Sequence, residues 1–141
     1  MSAEVFVDTN IWLYALVLNP GEEAKHRRAH ELVASLGRCT ISTQVIAEVS
    51  VNLLKKAAMQ ETALVSVVED FYRSHHVQQM TLGCHRRASE LRTRYRLSYW
   101  DSLILAAADE AGCAVCYSED MQDGLRINQG LQVLNPFTQT A

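Results

Sequence analysis

The sequence VFVDTN, residues 5–10, joins an apolar run to a carboxylate at Asp8 and then to a helical segment. Its β-branched valines predict a strand over Ala3 to Val7. Asn10 to Leu18 has a helical pattern, and Pro20 follows as a stop signal. The segment therefore predicts a strand followed at once by a helix, with an acid at the junction.

The same alternation of short apolar runs and longer helical segments continues along the chain. Further strands are predicted at Cys39 to Ile41, Val77 to Leu82, Ala114 to Tyr117 and Leu131 to Leu134. Further helices are predicted at Glu22 to Leu36, from a cap at Ser42 or Thr43 to about Lys56, and at Thr62 to Ser74, Gly83 to Tyr95 and Tyr99 to Ala111. Alternating β and α units predict a three-layer α/β/α fold, in which helices cover both faces of a central parallel sheet.

The bulk composition indicates one soluble globular domain over residues 1–141. The chain has 141 residues, of which 48% are hydrophobic and 21% are charged, and this is enough to bury a core. The formal net charge of -3 argues against a protein that binds nucleic acid through bulk charge alone. The net charge does not exclude a local basic patch that binds nucleic acid.

The cysteines and the N-terminus bear on the compartment. Cys113 and Cys116 form a C-x-x-C within a predicted buried strand and have no second pair, so we expect buried thiols instead of a zinc site or a disulfide. The N-terminus lacks a basic leader, and the apolar run Ile11 to Leu18 is too short to span a bilayer. A cytoplasmic protein without a membrane contact is therefore expected.

Four acidic residues lie far apart in the chain, each where a strand or helix begins or ends. They are Asp8, Glu48, Asp101 and Asp120. A carboxylate beside an apolar run is costly to bury unless it is paired, hydrogen-bonded or bound to a cation. Ligands in an open parallel sheet lie beyond the carboxyl ends of the strands, which is where this placement would bring the four acids together. A site for a hard divalent metal is the simplest purpose that they could share.

Four motifs give the chain a resemblance to a known family. They are VFVDTN at residues 5–10, STQVIAE at 42–48, YWDSLILAAA at 99–108 and YSEDMQDG at 117–124, followed by LQVLNPF at 131–137. In this order and spacing they resemble the PIN domain, and within it the toxin component of VapBC toxin–antitoxin pairs. The resemblance extends from Val5 to Phe137.

The resemblance implies a metal-dependent endoribonuclease that uses Mg²⁺ or Mn²⁺. Its acidic cluster would be Asp8, Glu48, Asp101 and Asp120, with Thr9, Asn10 and Ser118 in support and Asp123 as an accessory carboxylate or as the alternative to Asp120. It also implies an RNA substrate, a VapB-like antitoxin partner and a homodimer. Clustered acids without a metal repel one another, so at least one should have a raised pKa.

RNA also requires cations, and the best candidates precede Asp101. They are Arg86, Arg87, Arg92, Arg94 and Arg96. A solvated helix face and an RNA contact are both open for this cluster. Tyr99 and Trp100 could stack on a base, although we expect at least one of them to pack against the sheet. A weaker cluster, which includes Lys25, is expected to be plain surface.

Three other functions are kept open. A PIN nuclease of RNA processing that is not a toxin would have the same acids. A catalytically silent module that binds RNA or protein is a second reading, which the intact acidic set opposes. A phosphatase with an aspartyl nucleophile would normally have D-x-D after the first strand, whereas this chain has Asp8-Thr9-Asn10.

Overall fold

The computed structural model describes residues 4–138, which form six strands and six helices. The strands are β1 Val5–Val7, β2 Thr40–Ser42, β3 His76–Gln78, β4 Val115–Tyr117, β5 Arg126–Ile127 and β6 Leu131–Leu134. The helices are α1 Thr9–Leu16, α2 Glu23–Leu36, α3 Thr43–Lys55, α4 Glu61–Ser74, α5 Leu82–Tyr95 and α6 Tyr99–Glu110. None of these helices is both long and apolar enough to cross a membrane, within the residues described.

The sheet has the strand order β3-β2-β1-β4-β6-β5, with β1 near its centre. The pairs from β3 to β6 are parallel, and β5 alone pairs in the antiparallel sense, with β6. Phe6 of β1 lies opposite Thr40 of β2 on one side and Cys116 of β4 on the other. The chain therefore leaves β1 towards one edge and returns on the other side. This reversal creates a crevice at the carboxyl ends of β1 and β4.

Helices cover both faces, which confirms the predicted three-layer fold. Parallel crossovers are right-handed, so the helices between β1 and β3 lie on one face and those between β3 and β4 lie on the other. Accordingly, α1 packs on α2 and α3, α3 packs on α4, and α5 packs on α6. Phe6, Ile41 and Leu105 are fully buried in the core between these layers.

Both thiols of the C-x-x-C are buried, as the sequence predicted, although Cys113 lies before β4 and not within it. All four cysteines, including Cys39 and Cys84, are buried, and none of them forms a disulfide within residues 4–138. Burial raises the pKa of Cys113 to about 11 and that of Cys39 to about 12. These thiols are therefore core residues and not a disulfide.

Several predicted boundaries were wrong. The third strand was predicted over Val77 to Leu82 but covers His76–Gln78, because the Thr81 hydroxyl caps α5 and Leu82 already belongs to that helix. The two-residue strand β5 was missed, since so short a segment has no alternating pattern to detect. The first strand was predicted from Ala3, which lies outside the described residues.

Candidate active site

Asp8 occupies the crevice between β1 and β4. Its backbone N–H bonds the carbonyl of Tyr117 at 3.0 Å, so the ladder of β1 and β4 continues to the acid itself. Asp8 Oδ1 accepts from the Thr9 N–H at 2.7 Å, and Oδ2 accepts from Ser118 Oγ at 2.9 Å. Only 9% of Asp8 is exposed. A strand end, a helix start and a buried hydroxyl thus fix this carboxylate.

The pKa of Asp8 is raised from 3.8 to about 6, chiefly because burial removes water from the carboxylate. The hydrogen bonds from Thr9 and Ser118 oppose the shift, while the negative charges of Glu48 and Asp101 add to it. A raised pKa was expected from repulsion between the acids, but burial is the larger cause. Asp8 is therefore an anion in a dry site with anionic neighbours.

Glu48 reaches the same site from the second turn of α3. The Thr9 hydroxyl donates to Glu48 Oε1 at 2.6 Å, while the Thr9 backbone N–H donates to Asp8. Gln44, one turn earlier in α3, donates to Glu48 Oε2 at 3.2 Å. Thr9 consequently orients both Asp8 and Glu48. Gln44 holds the other carboxylate oxygen of Glu48.

Asp120 lies in the turn after β4 and is more exposed than Asp8. Asn10 Nδ2 donates to Asp120 Oδ2 at 2.7 Å. Burial raises the pKa of Asp120, the negative charges of Glu119 and Asp101 raise it further, and Lys25 lowers it. Asn10 therefore connects α1 to the last acid, as Thr9 connects it to Glu48.

Asp101 enters through the first turn of α6. The hydroxyl of Ser98 caps this helix by accepting from the Asp101 N–H at 3.1 Å. An acid in the first turn is favoured by the helix dipole. Asp101 is half-buried, and its negative charge raises the pKa of both Asp8 and Asp120. The structure thus relates Asp101 to the site through charge.

Asp123 is placed differently from the four acids. Its Oδ1 accepts from the Asn135 N–H at 2.8 Å, and its Oδ2 accepts from the Thr138 hydroxyl at 3.2 Å. Both carboxylate oxygens therefore brace the segment after β6. Asp120, in contrast, is bonded to Asn10.

Residues next to Asp120 form a cluster that the sequence did not indicate. Glu119 accepts from the Tyr14 hydroxyl at 2.9 Å and forms an ion pair with Lys25. Lys25 Nζ also lies 5.1 Å from the centroid of the Tyr14 ring. Lys25 was expected to be plain surface, because nothing local in the sequence relates α2 to the turn after β4. Gln44 had a signal, since a residue four before Glu48 shares its helix face.

The donors of the site match a hard divalent cation, although the acids are not gathered into a ready coordination shell. Among residues 4–138, no group of three or more His, Cys, Asp or Glu side chains is arranged to hold a metal ion. The donors present are nevertheless all oxygens, the type that Mg²⁺ and Mn²⁺ prefer. The charges acting on Asp8 are themselves negative, so a cation would relieve its raised pKa. Gln44 Oε1 is also a buried oxygen without a protein partner in the described residues.

Arg87 and Arg94, two of the five predicted RNA-binding arginines, join α5 to other parts of the fold. Arg87 Nε donates to Asp109 at 2.7 Å, in a pair that joins α5 to α6. Arg94 Nη1 donates to Asn128 Oδ1 at 2.7 Å, which ties α5 to the turn between β5 and β6. These two residues have structural partners.

The other three arginines do not share one environment. Arg92 Nη1 donates at 2.8 Å to the hydroxyl of Ser102, the residue after Asp101. Arg86 and Arg96 are exposed. Arg87, Arg92 and Arg94 therefore have side-chain partners, and the exposed Arg86 and Arg96 are the better candidates for an RNA contact.

The expectation that Tyr99 or Trp100 packs against the sheet was wrong. Tyr99 is 48% exposed and Trp100 is 61% exposed. They are the first two residues of α6, immediately before Asp101, and Ser98 caps the helix just ahead of them. The aromatic side chains thus stand at the rim of the site.

With this geometry in place, the family can be assigned. The PIN domain family model matches residues 5–123. The chain belongs to the PIN domain family. No curated protein matches the sequence. The match contains all four acids and Asp123, so the PIN domain spans the entire candidate site.

Solved structures show the same fold in VapC toxins. A toxin–antitoxin complex from Klebsiella pneumoniae aligns with a TM-score of 0.70 and 20% identity, covering 94% of this chain and 97% of that one. VapC20 of Mycobacterium tuberculosis, described as a toxin that cleaves the sarcin–ricin loop, aligns with a TM-score of 0.66 and 25% identity over 82% and 89% of the two chains. A DNA-bound VapBC from Salmonella typhimurium aligns with a TM-score of 0.66 and 19% identity, covering 96% and 99%. This PIN domain therefore has the VapC-type fold.

Proposed function

We propose that this PIN domain is a metal-dependent endoribonuclease that hydrolyses RNA phosphodiester bonds. The observation that carries the proposal is the buried, hydrogen-bonded and uncompensated carboxylate of Asp8 in the crevice between β1 and β4. RNA as the substrate is supported by the similarity to VapC20, a toxin that cleaves the sarcin–ricin loop.

The carboxylates of Asp8, Glu48, Asp101 and Asp120 would hold Mg²⁺ or Mn²⁺. A bound divalent ion screens the phosphodiester charge and lowers the pKa of a water that attacks phosphorus. Asp120 is assigned ahead of Asp123 because both oxygens of Asp123 already brace the C-terminal segment.

The surrounding residues of the chain orient these acids. Thr9 fixes Asp8 through its backbone and Glu48 through its hydroxyl, and Ser118 holds the second oxygen of Asp8. Asn10 positions Asp120 by its amide. Partners of metal ligands are commonly worth 10–100-fold in affinity or activity.

Single replacements of the acids test the proposal. We expect Asp8→Asn and Asp101→Asn each to reduce RNA cleavage about 100-fold or more, since ligands should matter at least as much as their partners. Asp70→Asn, at an exposed carboxylate of α4, is the matched control and should cleave like wild type. Cleavage that survives both site replacements would rule the proposed site out.

We further propose that the protein is the toxin of a type II toxin–antitoxin pair, with a VapB-like partner. A groove of about 460 Å³ between α1, α2 and α4 is suited to an amphipathic helix. Trp12, Leu16, Val33, Val67 and Phe71 form its apolar lining. The similar structures include toxin–antitoxin complexes, which supports the same assembly here.

Co-expression with a short neighbouring reading frame tests the partner. The two proteins should co-purify, and Leu16→Glu should separate them because it places a charge in the groove. Leu82→Glu, at a 65% exposed leucine of α5, is the control and should leave the complex intact. If the partner stays bound to both variants, the groove is not its binding site.

A homodimer in the cytoplasm completes the proposal. Four buried thiols, none of them in a disulfide within the described residues, suit a reducing compartment. Sedimentation equilibrium of the purified protein should give twice the mass of one chain, and a monomer at all concentrations would contradict the dimer.

A further inference from the structure

Tyr99 and Trp100 form an exposed aromatic pair directly before Asp101. Their ring centroids are 5.2 Å apart, and the ring planes cross at 89°. The two side chains are 48% and 61% exposed, although large aromatic residues usually contribute their area to a core. An exposed aromatic pair next to an acidic residue is suited to a planar partner that stacks on one of the two rings.

Arg92 of α5 contacts Tyr99, one member of this pair. Its guanidinium carbon lies 4.9 Å from the centroid of the Tyr99 ring, within the range of a cation–π contact. The same guanidinium donates to Ser102 Oγ at 2.8 Å, and Ser102 Oγ in turn donates to the Tyr99 carbonyl at 2.6 Å. A positive charge is thereby held against the aromatic surface.

The segment that leads into the pair is basic. Arg96, which caps the end of α5 in a left-handed conformation with φ of 58°, is exposed three residues before Tyr99. The chain has a formal net charge of -3, so this concentration of arginines is local. Along the chain, the exposed Arg96 is thus followed by two exposed aromatic residues and then by Asp101.

We propose that Tyr99, Trp100 and Arg92 form a stacking platform for an unpaired RNA base beside the scissile phosphate. This inference rests on the proposed nuclease function and adds to it a base-binding site that residues of this chain form next to Asp101. Bases in a duplex are already stacked on both faces, whereas an unpaired base can lie on an aromatic side chain. The arginines complement the flanking phosphates in charge.

Charge also favours RNA over a second copy of the chain as the occupant. A two-fold interface places the same patch of both protomers face to face. Arg92 and Arg96 would then oppose their own equivalents, and like charges across an interface are unfavourable. RNA phosphates are negatively charged, so they would be attracted to the same arginines.

Tryptophan fluorescence tests the platform, because the chain contains only two tryptophans and Trp12 is 3% exposed. The measurement uses the full-length protein carrying Asp8→Asn, so that the RNA remains intact. A short single-stranded oligoribonucleotide should quench the emission, and a duplex of the same sequence should quench it far less. Trp100→Phe should remove the quenching, which assigns the signal to Trp100.

Affinity supplies the second readout. Stacking of one base predicts that Trp100→Ala weakens binding of the single strand about 10-fold, while Trp100→Phe should retain most of the affinity because its ring still stacks. Tyr72→Ala, at a 51% exposed tyrosine of α4, is the control and should bind like wild type. In protein with Asp8 intact, Trp100→Ala should raise KM for single-stranded RNA more than it lowers kcat.

Three results would overturn the platform. They are unchanged single-strand affinity in Trp100→Ala, equal binding of single strand and duplex, and conversion of a dimer to a monomer by Trp100→Ala without loss of RNA affinity. These results can be distinguished from a failure of the proposed nuclease function. RNA that binds through Trp100 but is never cleaved would refute the nuclease alone. Cleavage that does not depend on Trp100 would refute the platform alone.

Discussion

Thr9 is the residue on which the geometry of the acids most depends. It donates its backbone N–H to Asp8 and its hydroxyl to Glu48, although 39 residues separate Thr9 from Glu48. Ser118 makes the comparable contact from β4 to Asp8. Asp8 and Glu48 are therefore positioned by neutral donors, and the charges that act on Asp8 are negative.

The raised pKa of Asp8 predicts how the metal-free protein responds to pH. The pKa is about 6 in the folded state and 3.8 as its ordinary value, so the folded protein holds the proton more tightly. Stability should fall as pH rises through this interval, by up to about 3 kcal/mol at about 1.4 kcal/mol per pKa unit.

Asp8→Asn should abolish that dependence. In the presence of a chelator, the variant should be more stable than wild type at pH 8, and the gap should narrow as pH falls to 5. Urea unfolding at each pH measures the difference. A gap that does not change with pH, or a variant less stable than wild type at pH 8, would contradict the assigned charge state.

Asp120 and Asp123 should behave in opposite ways. Asp120→Asn should abolish cleavage with little effect on stability, because Asp120 is exposed. Asp123→Ala should keep cleavage and lose about 1 kcal/mol of stability, since it removes acceptors for Asn135 and Thr138. Paired cleavage and unfolding measurements would show the reverse pattern if Asp123 were the functional acid.

At the scale of elements, helix caps place the acids. Ser98 caps α6 and positions the Asp101 backbone, while Thr81 caps α5 away from the acids by accepting from the Cys84 N–H at 3.1 Å. The sequence predicted that α6 starts at Tyr99 because its apolar pattern is long. It misplaced the start of α5, since a three-residue strand with half-buried residues has little signal of its own.

The two caps make a matched pair of variants. Ser98→Ala and Thr81→Ala should each lower the free energy of unfolding by about 1 kcal/mol, the usual cost of losing a cap. Only Ser98→Ala should also reduce RNA cleavage, because it alone loosens the turn that contains Asp101. Equal cleavage by both variants would show that the α6 cap has no role in the site.

At the scale of the whole molecule, the strand order places Asp8 beside the end of β4. The chain starts in the middle of the sheet, builds β2 and β3 on one side and crosses back to β4 on the other. Asp8 and Ser118 consequently meet across adjacent strands, although 110 residues separate them. The sequence predicted the parallel sheet and the placement of acids at element ends from periodicity. It did not predict contacts such as Lys25 with Glu119, because these depend on how two elements pack.

Charge distribution over the molecule predicts the salt dependence of RNA binding. Exposed Arg86 and Arg96 can each neutralise a phosphate, so Arg86→Gln and Arg96→Gln should each reduce the slope of log affinity against log salt by about 0.7. Arg87→Gln should leave the slope unchanged and destabilise the protein, because Arg87 is paired with Asp109. Titrations of a single-stranded oligoribonucleotide over a range of salt concentrations give the slopes, and identical slopes in all three variants would contradict this division.

A metal titration of RNA cleavage tests the central claim most directly. The protein is first stripped with a chelator and then receives increasing Mg²⁺ or Mn²⁺, while the rate of cleavage of single-stranded RNA is followed. The four-acid site predicts no cleavage in the stripped protein and a rate that rises to saturation with added metal. Full cleavage in the presence of the chelator, or none at any metal concentration, would contradict a metal-dependent endoribonuclease.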